Sequence, residues 1–226
     1  MKNSKMLAVA LGAVVVTTSA LATPTLVIWD DLGAVATAPA IGGIVVYSNP
    51  SFDAGRWSVV ISTGESKPAL GSATSPTMDL NIQASSLGIA ADNLHVSWSD
   101  NGFGPFNSTI QAQLSGHVVS GTGAPISYNT YYDPANSVWT TAATPGGTQT
   151  LLTTSGTLAP PLYFSTQNGA LSQSAFGLTE FVTITSTPGG AYSIDASLSA
   201  VPDGGTTVML LGAALSGLAF LRRKMA

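Results

Sequence analysis

Polar and apolar residues alternate with a period of two along much of the chain. Trp57, Val59 and Ile61 share one face of Trp57–Ser62, and Met78, Leu80, Ile82 and Ala84 share one face of the next run. Leu94–Ser99 and Thr109–Leu114 repeat the rule, and Tyr192–Leu198 is apolar at even positions and polar at odd ones. Such alternation marks half-buried antiparallel strands with one wet face. Turn signals separate the runs at Asp100-Asn101-Gly102, Pro145-Gly146-Gly147 and Pro188-Gly189-Gly190, the last read as a hairpin connection. Residues 34–40 and 85–91 have room for a helical turn at most, and no fixed-period repeat signals a solenoid or propeller. The pattern predicts an all-β fold, an antiparallel β-sandwich of jelly-roll type. It forms one domain over 23–200, with 133–175 as its least regular part.

The two ends depart from this pattern. Lys2 and Lys5 precede an apolar run from Met6 to Val16, and Ala20-Leu21-Ala22 places small residues at −3 and −1 of a cleavage point before Thr23. Residues 1–22 therefore read as a signal peptide, to be handled by the secretion translocon and signal peptidase. The run is shorter than the ~20 residues that cross a bilayer, which disfavours an uncleaved anchor. At the other end, Val201-Pro202-Asp203-Gly204-Gly205 leads into the uncharged segment 206–221 and then Arg222-Arg223-Lys224. The uncharged segment reads as a transmembrane helix, and the basic end belongs on the cytoplasmic side. Proline and the two glycines leave the short motif extended and accessible.

This tripartite tail, over 201–226, resembles the PEP-CTERM class of sorting domains in the variant whose motif reads Val-Pro-Asp-Ser-Gly. Val201, Pro202, Asp203 and Gly205 match, while Gly204 stands in place of serine. The resemblance implies recognition by an exosortase, a membrane-embedded cysteine transpeptidase, and cleavage near the motif. It also implies display on, or release from, a Gram-negative, biofilm-forming cell. A plain tail anchor would share the same hydropathy, with the small residues at 212–217 serving helix packing.

Charge sharpens what lies between the ends. The net charge is −4, but of the basic residues only Arg56 and Lys67 fall within 23–203, which holds all eleven acids and so carries −9. That balance excludes nucleic acid as a partner. Cysteine is absent, which excludes disulfides, thiolate metal sites and cysteine nucleophiles.

Candidate chemistry is sparse. The chain lacks a Gly-x-Ser-x-Gly elbow, a phosphate loop and a His-Glu-x-x-His pair, so the expectation is a non-enzyme with no catalytic, cofactor or metal residues. His95 falls on the polar face of its strand, opposite Leu94, Val96 and Trp98, and His117 also lies beside a strand-like run. Glu180 shares parity with Leu178, Val182 and Ile184, and is expected at a strand end within reach of solvent. Calcium is the one cofactor left open: Asp30, Asp31, Asp53, Asp92 and Asp100 could supply oxygens, although none has the spacing of a calcium loop. Phe103, Phe106, Tyr131 and Trp139 sit in loop-like stretches and are the candidate glycan-contact rings; the alternative is that they plug the ends of the core. The abundant Ser and Thr suit wet strand faces and offer sites for glycosylation. The expectation is a surface-displayed or secreted sandwich of the extracellular matrix or envelope. The alternative is a carbohydrate-binding module holding exopolysaccharide, and a secreted hydrolase stands last.

Overall fold

The predicted alternation becomes twelve strands among the described residues, which are 23–87, 92–185, 187–201 and 211–215 of this computed structural model. In chain order they are β1 (Thr25–Asp30), β2 (Val35–Pro39), β3 (Ile44–Ser51), β4 (Trp57–Glu65), β5 (Thr77–Ser86) and β6 (Leu94–Phe103). There follow β7 (Phe106–Ser120), β8 (Ile126–Asp133), β9 (Thr150–Leu158), β10 (Leu162–Gln173), β11 (Phe176–Ile184) and β12 (Ala191–Val201). One short helical turn, α1 (Phe52–Gly55), links β3 to β4.

The strands form two antiparallel sheets. Sheet A runs β2-β1-β6-β11-β8-β9, and sheet B runs β10-β7-β12-β5-β4-β3. From β5 onward the chain passes repeatedly between the sheets, so that β5-β12-β7-β10 faces β6-β11-β8-β9. This is a jelly-roll sandwich, as the alternation predicts. The faces follow the sequence pattern: Val59, Ile61, Leu80, Ile82, Ile194 and Leu198 of sheet B pack with Leu26, Ile28, Val96, Trp98 and Val182 of sheet A. Burying one such side chain contributes about 1.5–3 kcal/mol, so the interior of the two sheets is the main source of stability.

Four local expectations need correction. Pro188-Gly189-Gly190 joins β11 of sheet A to β12 of sheet B, so it is a crossing between sheets and not a hairpin. Asp100-Asn101-Gly102 lies inside β6, where a register shift against β11 between Phe176 and Leu178 absorbs the irregular backbone. The segment 133–175 is irregular only over 134–149, the connection from β8 to β9; β9 and β10 occupy most of the rest. Within 34–40 the structure shows β2 where at most a helical turn was expected.

The 134–149 connection explains why β1, β6 and β11 are buried on both faces. It folds over the outer side of sheet A: the Trp139 amide donates to Ser99 Oγ at 2.8 Å, and Thr179 Oγ1 donates to Gln149 Oε1 at 3.3 Å. Ala142 packs onto Val27, Trp29, Tyr131 and Phe181 there, forming a second, smaller apolar cluster. Among the described residues sheet B has no equivalent cover, and its outer strand positions stay partly exposed.

Candidate functional site

The paired strands define two poles. At one pole β12 ends at Val201, close to where β1 begins at Thr25 and where Phe103, Phe106 and Phe176 cluster. The opposite pole carries the end of β1 at Asp30, the turn α1 and the start of β12 at Ala191. Val201, the first residue of the tail motif, is paired with Thr109 of β7, and its carbonyl accepts from Ser108 Oγ at 3.2 Å. Pro202, Asp203, Gly204, Gly205, the basic end Arg222, Arg223 and Lys224, and Ala20 and Ala22 of the expected signal peptide lie outside the described residues. Residues 211–215 are helical, and among the described residues no helix is long and apolar enough to cross a membrane.

The rings expected to meet glycans are mostly interior. Phe103 and Phe106 are 1% and 8% exposed and close the tail pole against Phe176. Tyr131 is buried under the 134–149 connection, and only Trp139 is half-exposed. Phe103 and Phe106 thus plug the end of the core, the other reading of these rings, and of the four only Trp139 is open to solvent. His95 is not an exposed strand histidine either. Its ring packs beside both Trp29 and Phe181, at centroid distances of 5.1 and 5.9 Å, and its nitrogens meet Asp31 and Thr183 at 2.8 and 3.1 Å.

Glu180 departs furthest from expectation. It is fully buried on the inner face of sheet A, well away from a strand end, and pairs with neither Arg56 nor Lys67. The Tyr128 hydroxyl donates to Glu180 Oε1 at 2.7 Å and to the Ser197 carbonyl at 3.1 Å. Burial pushes the Glu180 carboxyl up to about 8, with Asp79 and Asp195 adding to the rise against the Tyr128 hydrogen bond. Lys67 instead pairs with Asp100 at 2.7 Å, lies 3.8 Å above the Phe103 ring and also donates to the Asn101 carbonyl. These contacts occupy the polar groups of a cavity of about 560 Å³ at the tail pole, whose other lining is largely glycine, alanine and proline.

A broad set of hydrogen-bonding groups lies on the outer face of sheet B. The ladder register aligns Leu162, His117, Ser193, Gln83 and Val60 in one row across five strands. The next row aligns Phe164, Ser115, Asp195 and Asn81, and the one beyond it Thr166, Gln113, Ser197, Asp79 and Glu65. A groove of about 340 Å³ runs along the first row between Ser58, Gln83, Ser85, His117, Val119 and Ser193. Phe164 beside it is 74% exposed and Leu162 75%. Burial, with the neighbouring charges of Asp195 and Glu65, raises Asp79 to about 6. Sequence reasoning missed Phe164 because Leu162-Tyr163-Phe164 is apolar at both parities, so no face could be assigned; Tyr163 turns inward and bonds the Ala124 carbonyl.

At the opposite pole three of the five candidate calcium ligands converge. Carboxylate oxygens of Asp30, Asp53 and Asp92 lie within 4.8 Å of one another. Asp30 comes from the end of β1, Asp53 from α1 and Asp92 from the approach to β6. Asp53 and Ala54 hold left-handed backbone, with φ of 48° and 52°, to turn the chain there. Asp31 and Asp100 are committed elsewhere, to His95 and Lys67. Burial and the Asp53 carboxylate raise the pKa of Asp30; burial raises that of Asp92 over the opposing pull of Arg56.

Comparison with known proteins bears on the tail and on the fold. A VPDSG-CTERM motif matches residues 200–225, so the chain ends in a PEP-CTERM-like sorting tail, the mark of a bacterial protein exported to the cell surface. No curated protein matches the chain. Similar solved structures include a carbohydrate-binding module from the β-sandwich superfamily, at 9% identity and a TM-score of 0.36, covering 78% of this chain and 83% of that one. TmCBM61 in complex with β-1,4-galactotriose matches at 10% identity and a TM-score of 0.33, over 68% of this chain and 96% of that one. The enzymatically active domain of bacteriophage CBA120 tailspike protein 4 matches at 8% identity and a TM-score of 0.35, over 65% of this chain; this chain spans only 19% of that one. At TM-scores below 0.5 these likenesses carry no argument about fold or ligand, and the sandwich rests on the strand pairing itself.

Proposed function

We propose that the chain is a non-enzymatic component of the extracellular matrix or envelope of a Gram-negative-type cell, sorted by an exosortase, and that it holds neutral polysaccharide along the outer face of sheet B. The observation that carries this is the set of aligned rows on that face. Amides at Gln83, Asn81, Gln111 and Gln113, carboxylates at Asp79 and Asp195, and serine hydroxyls stand at strand spacing, with the exposed Phe164 ring beside them. Amides offer both donors and acceptors, which suits the paired hydroxyls of sugars. An aromatic face supplies the apolar contact that a pyranose ring needs. The acidic balance of the domain disfavours anionic polymers, so neutral chains are the expected ligands.

Retention of the full chain in gels containing neutral glucan, galactan or xylan tests this. Retention is expected to weaken about tenfold on Phe164→Ala or Gln83→Ala, each corresponding to roughly 1.4 kcal/mol, and to persist on Trp139→Ala. Migration unaffected by every polymer would leave a matrix component without glycan affinity. Loss on Trp139→Ala alone would move the site to the cover of sheet A.

A further inference from the structure

We propose that Asp30, Asp53 and Asp92 bind one calcium ion that ties the two sheets together at the pole opposite the tail. Two observations point there independently. Three carboxylate oxygens lie within 4.8 Å of one another, and oxygens bound to one calcium at about 2.3–2.6 Å can be no more than roughly 5.2 Å apart. All three therefore fit one coordination sphere. Separately, Asp30 and Asp92 are only 3% and 6% exposed, yet Oδ2 of each lacks a donor in hydrogen-bonding geometry, the Trp57 indole beside Asp92 included. Buried carboxylate oxygens are normally satisfied, and two so poorly served in one cluster call for a ligand.

The rest of the cluster defines the ligand. Asp30 Oδ1 accepts from the amides of Leu32 and Ala34 at 3.1 and 2.9 Å, which fixes the carboxylate and leaves Oδ2 free. Arg56 Nε is 2.9 Å from Asp53 Oδ2 and neutralises one charge, leaving two negative charges, the complement of a divalent ion. Only oxygen donors are present in the cluster, which favours a hard cation over zinc. One oxygen from each aspartate supplies three of the six to eight that calcium takes, and water completes the set. The ion would join β1 and the approach to β6 in sheet A to α1, which precedes β4 in sheet B. This site is independent of the glycan face, and either can fail without the other.

Terbium luminescence of the full chain in detergent, excited through Trp57, which lies against Asp92, tests the site directly. One terbium ion is expected to give sensitised emission that calcium displaces, and Asp30→Asn and Asp92→Asn are each expected to weaken it at least tenfold. Absence of emission, or emission unchanged in both variants, overturns the proposal. If the variants do not fold, the unaltered chain still decides. Its melting temperature should rise by several degrees between excess chelator and about 5 mM calcium, a concentration above the millimolar range of weak extracellular sites. A melting temperature independent of calcium overturns the proposal as well.

Discussion

Two of the regions that bury carboxylates resolve the same problem in different ways. Glu180, between the sheets, is alone: it has one hydroxyl partner and a carboxyl held up at about 8, so at neutral pH it carries its proton. Tyr128 has one hydrogen to share between Glu180 and the Ser197 carbonyl, and the protonated acid supplies the second. At the pole, Asp30, Asp53 and Asp92 stand together with a single arginine. A lone carboxyl far from solvent is neutralised most cheaply by a proton, whereas three at a rim are better matched by a metal ion. Lys67–Asp100 shows a third solution, a buried ion pair whose remaining bonds are filled by Ser66 and the Asn101 carbonyl.

Removing one member of the paired solution should have the largest effect. Lys67→Met leaves Asp100, 1% exposed, with a buried charge, and chemical denaturation should register a loss of about 3–5 kcal/mol. Glu180 should act in the opposite direction. Its folded pKa is raised from the ordinary 4.5 to about 8. Its stabilising contribution is therefore complete below pH 4.5 and is lost progressively as pH rises toward 8. Glu180→Gln should remove that dependence and stabilise the fold by roughly 3 kcal/mol at pH 7, at about 1.4 kcal/mol per pH unit, with no gain below pH 4.5. A parallel shift at all pH values would show that Glu180 is not the titrating group.

Asp92→Asn should give a smaller effect whose sign depends on conditions. In chelator the loss of a buried like charge should stabilise the fold, because burial already raises the Asp92 pKa; in calcium the variant should fall below the unaltered chain. Arg56→Gln should change stability least, by under about 1 kcal/mol, because its pair with Asp53 is partly exposed. It should nevertheless tighten terbium binding, since the guanidinium and the metal compete for the same carboxylate.

The contrast between regions also marks what the sequence could reveal. Clean alternation placed β4, β5, β7 and β12 and assigned their inner faces, because each has one dry and one wet side. It failed for Glu180, where an acid sits on the apolar parity: burial was there to be inferred, but the Tyr128 hydroxyl that makes it tolerable comes from a strand fifty-two residues away. His95 was misplaced for a related reason. The 134–149 connection covers the polar side of sheet A, and no local pattern announces such a cover. The three aspartates of the pole were all named among the candidate oxygens, yet they lie in three separate segments, and only the closure of the sandwich brings them together. Pro188-Gly189-Gly190 announced a turn, but a turn signal does not say which sheet the next strand will join.

One further consequence follows from the position of β12. It is an interior strand of sheet B, paired over nine residues with β5 and eleven with β7, and the sorting motif begins at its last residue. Tension applied through the C-terminus would run along the strand axis, perpendicular to the ladder hydrogen bonds on both sides. Such a load shears many bonds at once and cannot peel them one at a time. A domain pulled through this strand therefore yields only when both ladders give way together.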